Sequence, residues 1–415
     1  MSGVVHVVGA GLAGLSCALR LAESGRRVRL YESARMAGGR CRSYFDSELG
    51  LSIDNGNHLL LSGNRAALDF ARRIGGVSAL EGPSDCVFDF ADLPSGARWR
   101  LRPNASRLPW WIFVKSRGVP GASAKDYLGA LGLLTAGRDA VIPDAMPCSG
   151  PLYERLWRPV LLAGLNTDPL EASAALAGAV VRETLGAGGA ACRPLVATQG
   201  LDAVFIAPAL TRLEALGVDI TFGARLRRVI FENDAAIALD FGEEPVPLEN
   251  DAQIVLATPP WTASEIAPGI SAPTDFRAIV NAHFKIAPPP GQPLLIGVVG
   301  GLTEWLFAYP DRLSVTISDA NRLVDEARES LAEKIWAEVA ALSGLPKALP
   351  PYRIVKEKRA TFAATPAQEK LRPDARTKWR NLFLAGDWTA TGLPATIEGA
   401  VRSGERAAAL AQGGL

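Results

Sequence analysis

Several kinds of site need residues that this chain has little of. Its 415 residues include only 3 His, 3 Met and 5 Cys. The cysteines, Cys17, Cys41, Cys86, Cys148 and Cys192, are odd in number and form no CxxC pair. That excludes a disulfide framework and a thiolate zinc site, and no metal is expected. Neither sign of charge is in excess, with 44 Lys and Arg against 43 Asp and Glu. A net charge of +1 lacks the electrostatic footprint of a nucleic-acid-binding protein. The longest apolar stretch, Tyr127 to Ala136, is about half the ~20 residues of a spanning helix. Strand-like residues Val4 to Val8 follow the initiator Met with no charged n-region or apolar h-region before them. The expected location is therefore cytoplasmic, with a peripheral place on the inner face of the membrane considered below. What the chain does have is apolar residues, 48% of the total, and a mean hydropathy of +0.13. At ~150 residues per domain, its length predicts two or three cores.

The opening Val4-Val5-His6-Val7-Val8-Gly9-Ala10-Gly11-Leu12-Ala13-Gly14 reads as a buried parallel strand running into a glycine turn and a helix. Gly9 allows the tight turn, Gly11 lets the backbone approach a pyrophosphate, and Gly14 lets helix pack on strand. Residues Leu12 and Ala13 open a helix with Leu15, Leu19 and Ala22 on one face, and its free N–H groups attract phosphate. A second strand, Arg27 to Tyr31, ends at Glu32, 18 residues after Gly14. A carboxylate there can accept hydrogen bonds from a ribose. A GxGxxG alone is a weak signal; strand, glycines, helix, strand and acid in this order make a strong one.

Both NAD and FAD use such a unit. After Glu32 and Ser33 come Gly38-Gly39-Arg40, which offer close backbone approach and a cation for a second phosphate contact. Near the C-terminus, an apolar strand ends in Gly386-Asp387, and Asp387 can hold a ribityl hydroxyl, which FAD has and NAD lacks. Pro394, Thr396 and Ile397 then open a final helix whose N–H groups suit the electron-rich pyrimidine edge of a flavin. FAD is expected between the two ends of the chain.

This pattern resembles the glutathione-reductase-like flavoproteins of the amine oxidase, phytoene desaturase and protoporphyrinogen oxidase superfamily. The segments Asp54-Asn55-Gly56-Asn57-His58, Leu156-Trp157-Arg158-Pro159, Leu165-Asn166, Trp305-Leu306-Phe307, Lys358 to Phe362 and Ala385 to Gly399 sharpen the likeness to the squalene-associated FAD-dependent desaturases, whose members are hydroxysqualene dehydroxylases of hopanoid biosynthesis. The implied fold is α/β, a Rossmann FAD domain with a discontinuous α+β substrate domain. Residues 1–75, 200–260 and 375–415 are assigned to the first, and 76–199 and 261–374 to the second. The resemblance also implies that Asn55, Gly56 and Asn57 run past the flavin ring, that Leu226 meets adenine, and that Ala257 lies on the strand leading back to the substrate domain. The implied reaction removes the hydroxyl of hydroxysqualene and delivers hydride from reduced FAD.

The residues suit that chemistry. Loss of water from an allylic alcohol leaves a delocalised cation, which aromatic faces stabilise by about 0.5 to 2 kcal/mol each. Trp157, Trp261, Trp305, Phe307 and Trp388 are candidates, with Trp305 and Phe307 preferred over the packing reading. The likeness adds Asn166 to the substrate contacts, and Asn281, which stands where amine oxidases carry a lysine near the flavin. Release of water needs a proton donor. His6 and His283 lie inside strands and are read as structural, which leaves His58, with Asn57, as the catalytic candidates. His58 can equally serve to orient the ring. Asp54 is read as a turn or capping residue.

No second strand-GxGxxG-helix unit follows, because Gly186-Ala187-Gly188-Gly189 has no apolar strand before it. Electrons must then come from outside, from NAD(P)H, a reductase or a quinol. The stretch Arg107-Leu108-Pro109-Trp110-Trp111-Ile112-Phe113-Val114-Lys115-Ser116-Arg117 has the composition of an interfacial membrane anchor, or equally of a lid. Two other functions stay open at this point: a carotenoid-type desaturase or amine oxidase, and a non-catalytic isoprenoid carrier, against which Glu32, Gly39-Arg40 and Asp387 argue.

Overall fold

The computed structural model describes residues 3–413. Five short strands, mostly apolar, form one parallel sheet in the order Asp219–Phe222, Val28–Glu32, Val5–Val8, Gln253–Leu256, Leu382–Leu384. A parallel sheet needs cover on both faces. Leu12–Glu23 and the C-terminal helix Ile397–Ala411 pack together on this sheet. Their contact is close because Gly404 lies against the first helix, where an added Cβ would sit 2.1 Å from the Ala13 carbonyl oxygen. Strands from the beginning, middle and end of the chain thus meet side by side, with the C-terminal ends of Val5–Val8 and Leu382–Leu384 at one edge.

A second sheet has seven strands, in the order Tyr352–Phe362, Phe276–Phe284, Arg312–Ile317, Trp305–Tyr309, Leu295–Val299, Phe88–Asp92, Arg98–Leu101. All neighbours are antiparallel except Leu295–Val299 with Phe88–Asp92. Period-two alternation sorts its side chains. Leu306, Ala308, Leu313, Val315 and Ile317 pack under the helix Arg328–Ser343. Trp305, Phe307 and Tyr309 turn to the other face, into an apolar cluster shared with Trp157, Leu226 and Trp388. The helix Arg328–Ser343 turns Leu331, Ile335, Trp336 and Val339 inward at helical spacing. Gly186 to Gly189 falls in two short 3-10 turns, Leu185–Ala187 and Gly189–Ala191, and builds no second nucleotide unit. No helix among the described residues is long and apolar enough to cross a membrane.

Candidate flavin and substrate site

The glycines after the first strand do different work. Gly9 has φ +107°, and an added Cβ would lie 2.4 Å from the Ala257 carbonyl oxygen; at Gly14 it would lie 1.8 Å from that of Gly9. Both are required by the fold itself. A Cβ at Gly11 would meet nothing within 4 Å. The protein leaves open space in front of Gly11, beside the free N–H groups of Leu12 and Ala13 at the helix start. That is a cradle a side chain would partly fill, and it fits a pyrophosphate.

Glu32 stands over this cradle. Its carboxylate accepts from the Ala10 and Ala34 N–H groups, both at 2.8 Å, and from Ser33 Oγ at 3.1 Å. Gly38, with φ +105°, donates its N–H to the Ala10 carbonyl and brings the Gly38-Gly39-Arg40 turn against the first loop. Arg40 then crosses to the other end of the chain, 2.6 Å from Asp387 Oδ1. The Arg40 side chain remains 43% exposed while Asp387 is buried, so the cation has free surface for an anion. Thr396 caps the final helix through the Gly399 N–H at 3.0 Å, with Pro394 and Ile397 on either side of it. Ala257 donates its N–H to the Val8 carbonyl and holds the next strand against the glycine turn. Leu226 is buried at the edge of this region.

Asn57 and Asn281 meet on the seven-stranded sheet. Asn281 Oδ1 accepts from Thr316 Oγ1 at 2.8 Å and from the Asn57 N–H at 3.3 Å. Asn57 Oδ1 takes the Tyr309 hydroxyl at 3.1 Å. Asn281 Nδ2 donates to the Asn55 carbonyl at 3.4 Å and lies 3.2 Å from where a Cβ on Gly56 would be. The Asn55-Gly56-Asn57 turn is thereby fixed to the sheet, and Asn281, an uncharged amide, is committed to holding it.

His58 follows, only half-buried, yet burial and the nearby Arg40 charge lower its pKa to about 4. It is a neutral imidazole near pH 7, which removes the imidazolium as a ready proton donor. His6 and His283 are structural, as expected: His6 Nδ1 lies 3.1 Å from the Tyr31 hydroxyl and His283 Nδ1 lies 2.8 Å from Ser314 Oγ. Asp54 caps the turn at residue 201, accepting from the Leu201 N–H at 2.9 Å and Ser43 Oγ at 2.5 Å.

Among the substrate candidates, Trp157, Trp305 and Phe307 share one buried cluster. Phe90 stacks on Trp99 with centroids 5.4 Å apart and meets Trp305 edge-on at 5.9 Å. Four buried indole N–H groups have no acceptor among the described residues, and three of them, on Trp99, Trp157 and Trp305, belong to this cluster. Unpaired buried donors cost about 1 to 3 kcal/mol each, so an oxygen-bearing guest would be welcome there. Two of the candidates are also tied into the fold. Asn166, in the left-handed conformation, is buried and bonded to Thr361 Oγ1, the Arg277 carbonyl and the Asp319 N–H; it braces a corner of the fold. Trp388 donates its indole N–H to the Thr258 carbonyl at 2.9 Å, and an added Cβ at Gly386 would collide with its ring, so it buttresses the loop of Asp387.

Two features escape a reading of the sequence. Arg372, with a fully buried side chain, donates to the backbone carbonyls of Asp387 (3.1 Å), Trp388 (3.4 Å) and Thr389 (2.5 Å) and to Thr391 Oγ1 (2.9 Å). Nothing in the Leu371-Arg372-Pro373 context signals this. The other is a cleft of about 700 Å³, half polar, walled by Leu80, Val87, Val196, Leu294 and Leu295 together with the charged Glu81, Asp89 and Arg100. Val196 pairs with Leu59, next to His58, and Leu295 pairs with Phe307, so the cleft lies one strand outside the aromatic cluster.

Comparison with known proteins agrees with this geometry. The chain is 58% identical to the hydroxysqualene dehydroxylase of Rhodopseudomonas palustris over 99% of its own length and 98% of the relative's. It is 44% identical to that of Zymomonas mobilis over 98% and 99%. A solved putrescine oxidase variant, redesigned for cofactor binding, has the same fold, with a TM-score of 0.70 at 18% identity over 99% of both chains. A family model described as flavin containing amine oxidoreductase matches residues 12–411; the chain belongs to that family, and its cofactor is FAD.

Proposed function

We propose that this protein is a hydroxysqualene dehydroxylase that reduces hydroxysqualene to the squalene used in hopanoid biosynthesis. The observation that carries the reading is the near-full-length identity with dehydroxylases of that name. The geometry is consistent with it: an uncharged Asn281 at the flavin-side sheet position and an aromatic cluster with unpaired indole donors.

FAD supplies the hydride once it has been reduced by an external donor, NAD(P)H or a separate reductase. The protein's own residues do the rest. Gly11, Leu12 and Ala13 receive the pyrophosphate, Glu32 the ribose, and Arg40 with Asp387 the second phosphate and the ribityl chain. Gly38, Gly39 and the N-terminus of the final helix at Thr396 and Ile397 close the cradle. Asn55, Gly56 and Asn57, locked by Asn281, set the position of the ring. Substrate enters by the cleft at Val196 and Leu295. Trp157 and Trp305 hold the hydroxyl through their indole N–H groups, and with Phe307 they stabilise the allylic cation left when the C–O bond breaks. The leaving hydroxyl takes one proton, drawn from solvent, and departs as water, and the cation takes one hydride. His58, neutral, orients the substrate oxygen instead of protonating it as an imidazolium. A substrate of this kind partitions into lipid, and the protein meets it at a membrane surface.

The test is anaerobic incubation of the dithionite-reduced holoprotein with hydroxysqualene. Squalene formed in proportion to flavin reoxidised is the expected result. Flavin that stays reduced, while squalene or phytoene reduces the oxidised enzyme, would identify a desaturase.

A further inference from the structure

Eleven large hydrophobic side chains are exposed among the described residues, and six of them lie between positions 108 and 131: Leu108, Trp110, Phe113, Val114, Leu128 and Leu131. They come from two segments that the fold joins. The 3-10 turn Trp110–Phe113 and the helix Ala124–Leu128 with its continuation Gly129–Thr135 are pinned by Trp111 against Tyr127, edge to face at 5.0 Å. The Tyr127 hydroxyl accepts from the Val119 N–H at 2.8 Å, and Asn104 holds the Trp111 N–H and the Leu108 carbonyl. The buried partners of each segment thus fix its exposed ones. Apolar side chains held out on a braced support are not a loose loop.

The surrounding charge is one-sided. Between residues 102 and 139 the chain carries Arg102, Arg107, Lys115, Arg117, Lys125 and Arg138 against two acids, Asp126 and Asp139, the second paired with Lys370, in a protein whose net charge is +1. Arg117 lies over the Trp110 ring at 4.9 Å, which places a cation at the root of an exposed indole. We propose that Leu108, Trp110, Phe113, Val114, Leu128 and Leu131 form a single platform that inserts into the headgroup layer of an anionic bilayer, with the flanking cations on lipid phosphates. A second copy of the chain is the poorer occupant, because a two-fold contact would set the same cationic rim against itself. The platform deepens the reading above, in which the substrate is lipid-borne, by naming the surface that reaches it.

The experiment uses the flavin-loaded protein and two kinds of vesicle, pure phosphatidylcholine and phosphatidylcholine mixed with phosphatidylglycerol. The wild type should sediment with the mixed vesicles and be released by added salt. Trp110→Ser with Phe113→Ser should weaken binding about tenfold or more. Arg107→Glu with Lys115→Glu should do the same while keeping the apolar surface. Both variants should retain full flavin content and unchanged turnover of detergent-solubilised hydroxysqualene. Equal sedimentation of wild type and variants would overturn the proposal, as would equal binding to neutral vesicles. A self-association that the variants abolish, without vesicle binding, would assign the face to a second copy and overturn it too. Vesicle binding by a protein that makes no squalene would refute the dehydroxylase reading and leave the platform standing.

Discussion

Arg372 shows how much of the site depends on a residue that never faces it. Its guanidinium collects three consecutive backbone carbonyls of the Asp387 loop and stacks over Phe362 at 4.7 Å. Such a planar set of donors is not replaced by a lysine ammonium. Arg372→Met should therefore purify with well under half the wild-type flavin, and Arg372→Lys should recover part of it. The separating measurement is the flavin dissociation constant beside the melting temperature of the apoprotein. A purely structural role would lower the melting temperature and leave the affinity of the folded fraction intact. Gly9, Gly11, Gly14 and Glu32 were legible in the sequence because the unit they make is local. Arg372 was not, since its meaning lies in contacts that depend on how one loop folds. Asn281 was noticed only through a likeness; sheet register brings Thr316 to it, and the turn at 55–57 brings Asn57.

Among the elements, the contact of the first and last helices decides whether the two ends of the chain can form one cradle. Ser16 Oγ reaches the Val401 carbonyl at 3.2 Å, and Gly404 sits on Ala13. A larger residue at 404 must push the final helix away from the first, and with it Thr396 and Ile397. Gly404→Leu should cost about 3 kcal/mol or more, by analogy with overpacked cores, and calorimetry with flavin titration should show lower stability together with weaker cofactor binding. The strands Val5–Val8 and Val28–Glu32 and the helices Leu12–Glu23 and Ile397–Ala411 were readable from the sequence, whereas most strands of the seven-stranded sheet were not. The exposed Leu128 and Leu131 were not, because an apolar run of that length gives no sign of which side its neighbours will cover. The nucleotide half of the site was plain in the sequence; of the substrate half, only the aromatic candidates were visible, and neither the 700 Å³ cleft nor the role of Asn166 could be read from it.

Taken whole, the molecule carries a pH dependence set by a few buried groups. Burial lowers His6 and His58 to about 4 and His283 to about 3. Each stays neutral in the folded chain while it gains a proton at about 6.5 on unfolding. Between those values the unfolded state binds more protons, so stability falls as pH drops from 6.5 toward 4. Glu304 acts in the opposite sense: burial raises it to about 7, the folded state keeps the proton, and stability falls as pH rises from about 4.5 to 7. Three groups outweigh one below pH 6.5. Chemical denaturation followed across pH should show a loss of up to about 1.4 kcal/mol per pH unit for each histidine, and Glu304→Gln should gain stability at pH 8 more than at pH 5. A flat profile from pH 7 to 5 would contradict these burial assignments.

In the reaction proposed above, hydride reaches a carbon that has just lost a hydroxyl, inside the cluster of Trp157, Trp305 and Phe307. The most direct measurement is a single anaerobic turnover of the reduced holoprotein in deuterated water, where the transferable flavin hydrogen exchanges with solvent, followed by mass and NMR analysis of the product. The expected product is squalene carrying one deuterium, on the carbon that bore the hydroxyl, with one flavin reoxidised per squalene. Squalene without that deuterium, or hydroxysqualene recovered unchanged beside a flavin that remains reduced, would contradict it.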